Sequence, residues 1–544
     1  MNYNMKQQNN TPYYHHFQEM LDDLLRRFGP QEAITCYSRR GEATVYTYNQ
    51  LYADVTKLQS ALIQNKLAAK PIAVAGENSY AWLVAYLGII VSGGIAVCVD
   101  IEQPDDAVRM AVRQADCAAV ILSASMLPVL HPPGEPYDLP TYLLDREQPP
   151  WQSIWSLAKK AEAPLSPPVS LSPEQPAAVI CTSGTTVRAK PVVLSHKAIL
   201  TNVADALSMI DPPPKTFAAL PMYHAYGMTC SALAGLVGGL GVCLNGNLKT
   251  MVRDLSVYQP GSAVVVPLIA ENIHKMLWTE IEQAGLRKKL ETMLRYYRLL
   301  GRPGFLKKRL QAAFCSKQLS NLSLLVCGGA YLSKEVADDL TDLGIQVIQG
   351  YGITECSPLV TVNRKPDSSS VGYPLPHVEL SFSEEGEVLV RGDSLMSGYY
   401  RQPDLTREAM ENGWFKTGDL GRLTKDGRLV ITGRKKNLIV FKNGKKISAE
   451  EIEDALAGID LIKEVVAYGA VTGSSTDDVK LSIMVYPDPQ KSRGMTSYEI
   501  LDALQREIDQ INAGLPSYKQ IQMINLRDQE FEKTSSKKIK RPMI

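Results

Sequence analysis

The chain has no cysteine framework. Its 9 cysteines all fall between Cys36 and Cys356, with no Cys-x-x-Cys pair and no Cys/His spacing that suits zinc. That excludes a disulfide scaffold and a structural zinc site, and it implies a reduced, cytoplasmic setting. A dominant charge is missing too: 58 basic residues against 57 acidic ones leave no overall field that would draw the chain to nucleic acid. No Gly-x-x-x-x-Gly-Lys-Ser/Thr stretch occurs, so Walker-type nucleotide hydrolysis is not implied. Internal repeats and long low-complexity tracts are absent. Residues 1–16 lack the basic-then-apolar pattern of a secretory signal, so no leader is expected.

Long uncharged runs are scarce as well. Residues 80–99 (YAWLVAYLGIIVSGGIAVCV) are long enough for a membrane span. Ser92-Gly-Gly94 divides them into an apolar helix and a β-branched strand, so a buried α/β unit is expected and no transmembrane segment. The same pattern recurs over residues 231–244, where Gly238-Gly239 precedes Gly-Val-Cys-Leu.

What is present is an ordinary globular composition, 45% hydrophobic and 21% charged over 544 residues. A single core stops growing at roughly 250–300 residues, so two or more domains are expected. Helix-like and strand-like stretches alternate over residues 17–270, which argues for parallel sheets covered by helices. The Pro-rich residues 163–176 read as an exposed connection between two subdomains. Residues 271–318 read as helical and basic, and residues 372–432 as short strands and turns of a compact β subdomain. After Arg434 comes a smaller α+β pattern, with helices over 449–457 and 497–512 and strands near VVAYGAV and LSIMVY.

Residues 179–190 read as a strand leading into a Gly/Ser/Thr loop, a lysine, and then an amphipathic helix. Small residues let backbone N–H groups approach an anion. The hydroxyls of Thr182, Ser183, Thr185 and Thr186 beside Gly184 add donors, and Lys190 adds positive charge, so the loop suits phosphate. By itself the segment reads more readily as a turn.

Further segments follow in order: Leu220-Pro-Met-Tyr-His-Ala-Tyr-Gly227, Gln349-Gly-Tyr-Gly-Ile-Thr-Glu355, Trp414-Phe-Lys-Thr-Gly-Asp-Leu420, Gly433-Arg-Lys-Lys-Asn437 and a tail with Ser535-Ser-Lys-Lys-Ile-Lys-Arg541. With Thr182-Ser-Gly-Thr-Thr186 they resemble the ordered core motifs of the adenylate-forming superfamily, which includes acyl-CoA synthetases, luciferase-like enzymes and peptide-synthetase adenylation domains. The resemblance covers nearly the whole chain. It implies an α/β fold, with a large N-terminal region (1–434) of two α/β layers plus a distorted β-barrel, and a small mobile α+β C-terminal domain (435–544).

The resemblance also implies roles. Tyr351 would stack on adenine, with Gly328, Gly329 and Ala330 covering the other face. Thr354 would bond the α-phosphate and Glu355 would hold Mg2+, a hard cation that prefers oxygen ligands. Asp419 would accept from the ribose hydroxyls with Arg434 assisting, Lys436 would be the hinge, and Lys538 the catalytic lysine. His224 resembles the gate beside the acyl carboxylate. Read singly, Tyr351 suits a core aromatic, Glu355 a solvated charge, Asp419 a turn and Lys435-Lys436 a solvated pair.

The implied reaction is activation of a carboxylic acid by ATP and Mg2+, with the acyl group passed to coenzyme A. Transfer to a carrier-protein phosphopantetheine is the alternative acceptor, and a degenerate nucleotide-binding partner protein without turnover is a further alternative. The wording around Gly433-Arg-Lys-Lys-Asn437 and the 271–318 region resemble bacterial long-chain fatty acyl-CoA synthetases, which points to medium or long acyl chains. The basic residues of that region, among them Arg287, Lys288, Lys289, Lys307, Lys308 and Arg309, suit a solvated face or a peripheral meeting with anionic lipid, the phosphates of coenzyme A or an acidic carrier protein. Four positions depart from the family's usual wording: Val187, Ala189 and Pro191 in the phosphate loop, and Lys537 before the lysine. A β-branched Val does not readily take positive φ, which bears on loop closure.

Overall fold

The computed structural model describes residues 11–132, 134, 139–161, 169–182, 190–306, 310, 319–441, 445–456, 458–471, 479–533 and 539–541. The chain forms two compact units: Met1–Glu379 with Arg391–Gly413, and Leu380–Val390 with Trp414–Ile544.

The first unit holds two large sheets, one of nine strands and one of eight. In the nine-stranded sheet, Glu32–Tyr37, Gly241–Leu244, Lys215–Ala218, Ser262–Val265, Leu324–Cys327 and Gln346–Gly352 run parallel in that spatial order. In the eight-stranded sheet, Pro71–Ala75, Ile95–Cys98, Ala119–Leu122 and Pro176–Thr182 are parallel neighbours. Strands such as Ala-Val-Ile-Leu at 119–122 are buried throughout, as expected of parallel strands covered on both faces.

The helix Tyr80–Val91 is buried at every position except Ala81. A helix apolar all round either crosses a membrane or sits in a core. Here it spans 12 residues, capped by Ser79, and Gly93 turns the chain at φ +79° into the strand Ile95–Cys98. Among the described residues no helix is long and apolar enough to cross a membrane.

Three expectations need correction. Lys190 does not lead directly into a helix: Lys190–Ser195 is a strand antiparallel to Pro176–Thr182, with Thr182 opposite Lys190. The helix His196–Met209 begins only after the cap Ser195. Second, the Pro-rich stretch does not separate the two layers. The strands after it, from Pro176 to Ser195, join the sheet begun at Pro71–Ala75, whereas Glu32–Tyr37 belongs to the other sheet. Third, the run of short strands after residue 372 includes a helix, Pro403–Ala409, with no buried residue.

In the second unit, Glu387–Gly392 pairs with Trp414–Leu423 through Leu389 opposite Lys416, and Trp414–Leu423 pairs with Leu429–Arg434. Beyond them, Ile462–Val471, Val479–Pro487 and Met523–Leu526 form a three-stranded sheet. The helices Ala449–Leu456 and Ser497–Ala513 contribute Ile452, Leu456, Leu504 and Ile508 to the same core as Ile483 and Val485 of that sheet. Thr496 and Glu499 form a reciprocal capping box at the start of the second helix. The architecture is the expected α/β one, a large N-terminal region and a smaller α+β C-terminal part.

Candidate active site

In the first unit, Lys215–Ala218, Ser262–Val265, Leu324–Cys327 and Gln346–Gly352 lie parallel side by side, so their carboxyl ends form one row. Crevices outside such ends are the usual ligand sites of open α/β sheets. His224 lies in the turn after the first of these strands. Gly328, Gly329 and Ala330 follow the third, and Tyr351, Thr354 and Glu355 stand on or just after the fourth. A Cβ at Gly328 would come within 3.1 Å of the Tyr226 hydroxyl, and Gly329 has φ +86°. Gly328 thus permits close packing against Tyr226, and Gly329 takes a backbone conformation that L side chains rarely adopt.

Glu355 sits in the 3-10 turn Thr354–Cys356. The Tyr399 hydroxyl donates to Glu355 Oε1 at 2.8 Å. Burial and then the Glu355 charge push the Tyr399 pKa above its ordinary value, so the phenol remains a donor. Lys190 Nζ lies 5.2 Å from the centroid of the Tyr399 ring, close enough for a cation–π contact. Tyr399 is held by pairing of Gly398–Tyr399 with the strand Lys190–Ser195. The fold thus brings Lys190 and Glu355, 165 positions apart in the sequence, to one aromatic ring. Nothing in the motifs pointed to Tyr399.

His224 has Nε2 at 3.9 Å from Asp100 Oδ2 and its ring edge-on to Tyr223. Burial, followed by the charges of Asp100, Glu102 and Glu77, raises the Tyr223 pKa. The turn is pinned by Asn78, which donates to Leu220 O at 2.8 Å and accepts from Met222 N at 2.8 Å. It leads into a π-helix, Tyr226–Leu233, a form that occurs frequently at functional sites.

In the second unit, Asp419 is buried and opposes Arg434 across the strand pair. Arg434 Nε meets Asp419 Oδ1 at 3.0 Å, which fixes one carboxylate oxygen in place. Lys436 follows in the short turn Lys435–Asn437. Burial and then the positive charge of Arg434, helped by Arg541, hold its pKa below the usual lysine value.

Thr182 ends its strand opposite Lys190. Ser183, Gly184, Thr185, Thr186, Val187, Ala189, Lys537 and Lys538 lie outside the described residues, as do Lys307, Lys308 and Arg309. The flanks of Lys538 are described: Lys533 and Ile539 form an antiparallel bridge, and Arg541 reaches Glu453 at 2.7 Å and the Ala467 carbonyl at 3.1 Å. Among the described residues no group of three or more His, Cys, Asp and Glu suits a metal ion.

Comparison with known proteins identifies the family. Residues 22–400 match AMP-binding enzymes, and residues 436–544 match the AMP-binding enzyme C-terminal domain. The chain belongs to the AMP-binding enzyme family. Two curated relatives of this AMP-binding enzyme are a long-chain-fatty-acid–CoA ligase of Mycobacterium bovis, 31% identical over 55% of the chain and 53% of the relative, and one of Escherichia coli O157:H7, 30% identical over 68% and 61%. The chain therefore spans roughly half to three fifths of the length of these relatives. Solved structures with the same fold include the anthranilate CoA ligase AuaEII in complex with anthranoyl-AMP, with TM-score 0.79, 18% identity and 98% and 97% of the two chains covered. A fatty acyl CoA synthetase of Mycobacterium tuberculosis has TM-score 0.66, 19% identity and 96% of each chain covered. At such identities the likeness is one of fold.

Proposed function

We propose that this AMP-binding enzyme activates a medium- to long-chain fatty acid with ATP and passes the acyl group to coenzyme A. The observation that carries the reading is the placement of His224, Gly328, Tyr351 and Glu355 along one row of strand carboxyl ends, in a chain whose curated relatives are named as fatty-acid–CoA ligases. Structural neighbours were solved with an acyl-adenylate and with ATP and magnesium, which supports the same chemistry here.

In this reading Tyr351 lies against adenine opposite Gly328, Gly329 and Ala330. Asp419 accepts from the ribose hydroxyls, with Arg434 fixing its carboxylate. Thr354 bonds the α-phosphate, while Thr182, Ser183, Thr185, Thr186 and Lys190 hold the departing phosphates. Glu355 would hold Mg2+, a hard cation that suits carboxylate and phosphate oxygens, and the metal would supply neutralisation of phosphate charge.

The substrate carboxylate oxygen attacks the α-phosphorus in line, and the bond to the β-phosphate oxygen breaks, giving acyl-AMP and pyrophosphate. Lys538 balances the charge spread over the phosphate oxygens in the transition state. The thiol sulfur then attacks the acyl carbonyl carbon. The C–O bond to AMP breaks, and the thiol proton passes to solvent. His224, beside Asp100, acts as a gate to that carbonyl. We place the division between the two working parts at 434/435 and the hinge at Lys436, with the lid turning between half-reactions.

Pro191, one departure from the family's wording, stands in a strand opposite Cys181 and accepts from Tyr400 N at 2.8 Å. Its missing N–H and stiff ring therefore act on a strand position, and any change in loop closure rests on Val187 and Ala189. We propose the helix Arg287–Leu299, where Lys288, Lys289, Arg295, Tyr296 and Leu299 are exposed, as the surface for a peripheral contact with anionic lipid. The test of the assignment is Lys538→Ala: adenylate formation is expected to be lost while ATP binding, measured by calorimetry, remains. Equal adenylation by variant and parent would overturn the role of Lys538. Release of pyrophosphate without a coenzyme A thioester would favour a carrier-protein thiol as acceptor.

A further inference from the structure

The turn that carries Thr354 and Glu355 is conformationally costly. Ser357, which follows it, has φ +71° without being glycine, a left-handed conformation that strains an L side chain. The chain folds back tightly there: Ile353 N donates to Pro358 O at 2.8 Å, and a Cβ at Gly352 would come within 2.2 Å of the same carbonyl oxygen. Such a conformation persists only where surrounding contacts over-determine it.

The contacts come from Asn202, fully buried on the helix His196–Met209. Its Nδ2 donates to Cys356 O at 3.1 Å and to Leu359 O at 2.8 Å, and its Oδ1 accepts from Leu359 N at 3.2 Å. One amide thus spans the strained residue from both sides with both of its polar ends. The helix beneath is itself fixed. Asp205, one turn further on and also buried, accepts from Tyr13 Oη at 2.9 Å and from His377 N at 3.1 Å, with His377 Nδ1 at 2.9 Å. Its start is capped by Ser195.

We propose that Asn202 is a positioning residue for Glu355: it holds the 354–359 backbone so that the Glu355 carboxylate is presented to the metal–nucleotide complex. The inference rests on the reading of Glu355 as the metal-binding carboxylate. Asn202→Leu, a shape-matched apolar change, removes all three hydrogen bonds, whereas Asn202→Asp keeps the acceptor and loses both donors.

The experiment measures Mn2+ binding by electron paramagnetic resonance in the presence of a non-hydrolysable ATP analogue, for the parent, Asn202→Leu, Asn202→Asp and Glu355→Gln, with metal-free analogue binding and thermal melting alongside. Loss of a group that orients a metal ligand weakens metal affinity by about 10–100-fold. Both Asn202 variants are expected to lose Mn2+ affinity on that scale while metal-free analogue binding stays near the parent's and the KM for the acid is unchanged. Unaltered Mn2+ affinity in a folded Asn202→Asp or Asn202→Leu protein, with only a lowered melting temperature, would overturn the proposal and leave a structural role. If Glu355→Gln alone loses Mn2+, positioning by Asn202 fails and the Glu355 assignment stands. If Glu355→Gln binds Mn2+ as the parent does, the assignment fails and the positioning with it.

Discussion

Glu453 is a carboxyl whose burial pushes its pKa up to about 7, with Arg541 opposing that rise. Because the folded pKa lies above the ordinary value of 4.5, the protonated form is the one favoured by folding. Its stabilisation is fully present below about 4.5 and is lost as pH rises through about 7. Asp454, pushed up to about 6 by burial and then by Glu450, acts in the same direction. Calorimetric melting of the parent over that range is expected to show this loss, and Glu453→Gln to flatten it; an identical pH slope in the two proteins would contradict the assignment. At this scale Tyr351, Glu355, Asp419 and Arg434 could be singled out because they sit in short ordered motifs, and the Asp419–Arg434 ion pair joins two of those motifs. Tyr399 and Asn202 were not. Their bonds to the 355–359 turn cross 44 and 154–157 positions, and no local period reports a partnership at that distance.

Among the elements, the 220–233 segment shows how backbone packing sets a side chain. A Cβ on Gly227 would lie 2.2 Å from Pro221 O, the carbonyl that accepts from His224 N at 3.1 Å. Backbone cannot yield as a flexible side chain can, so Gly227→Ala is expected to cost about 1–3 kcal/mol by overpacking and to displace His224. Denaturant melting reads the first effect, and a raised KM for acid or thiol reads the second. Parent-like values for both would show that the turn tolerates the shift. The buried helix Tyr80–Val91 and the strand after it were legible because a glycine pair punctuates them. The strand Lys190–Ser195 was not, because its six residues run directly into the helix His196–Met209, and short apolar runs do not separate the two states. Pro403–Ala409 buries nothing, so it leaves no amphipathic stripe to read.

For the whole molecule, alternation of helix and strand announced α/β layers, and the change of pattern after Arg434 announced a smaller C-terminal part. Which strand joins which sheet was not legible. Ile34 pairs with Val242 and Ala96 with Ala178, so the chain visits the second sheet before the first is complete. The Pro-rich stretch marks a connection within that second sheet rather than a boundary between layers.

The central claim, that a carboxylic acid is activated as its adenylate, is tested most directly by pyrophosphate release from ATP and Mg2+ across fatty, aryl and amino acids, with and without coenzyme A, and mass analysis of the acyl product. The account predicts release that depends on medium- or long-chain fatty acids, with acyl-CoA formed when coenzyme A is present. ATP binding without release for any acid would contradict it and leave a nucleotide-binding protein without turnover.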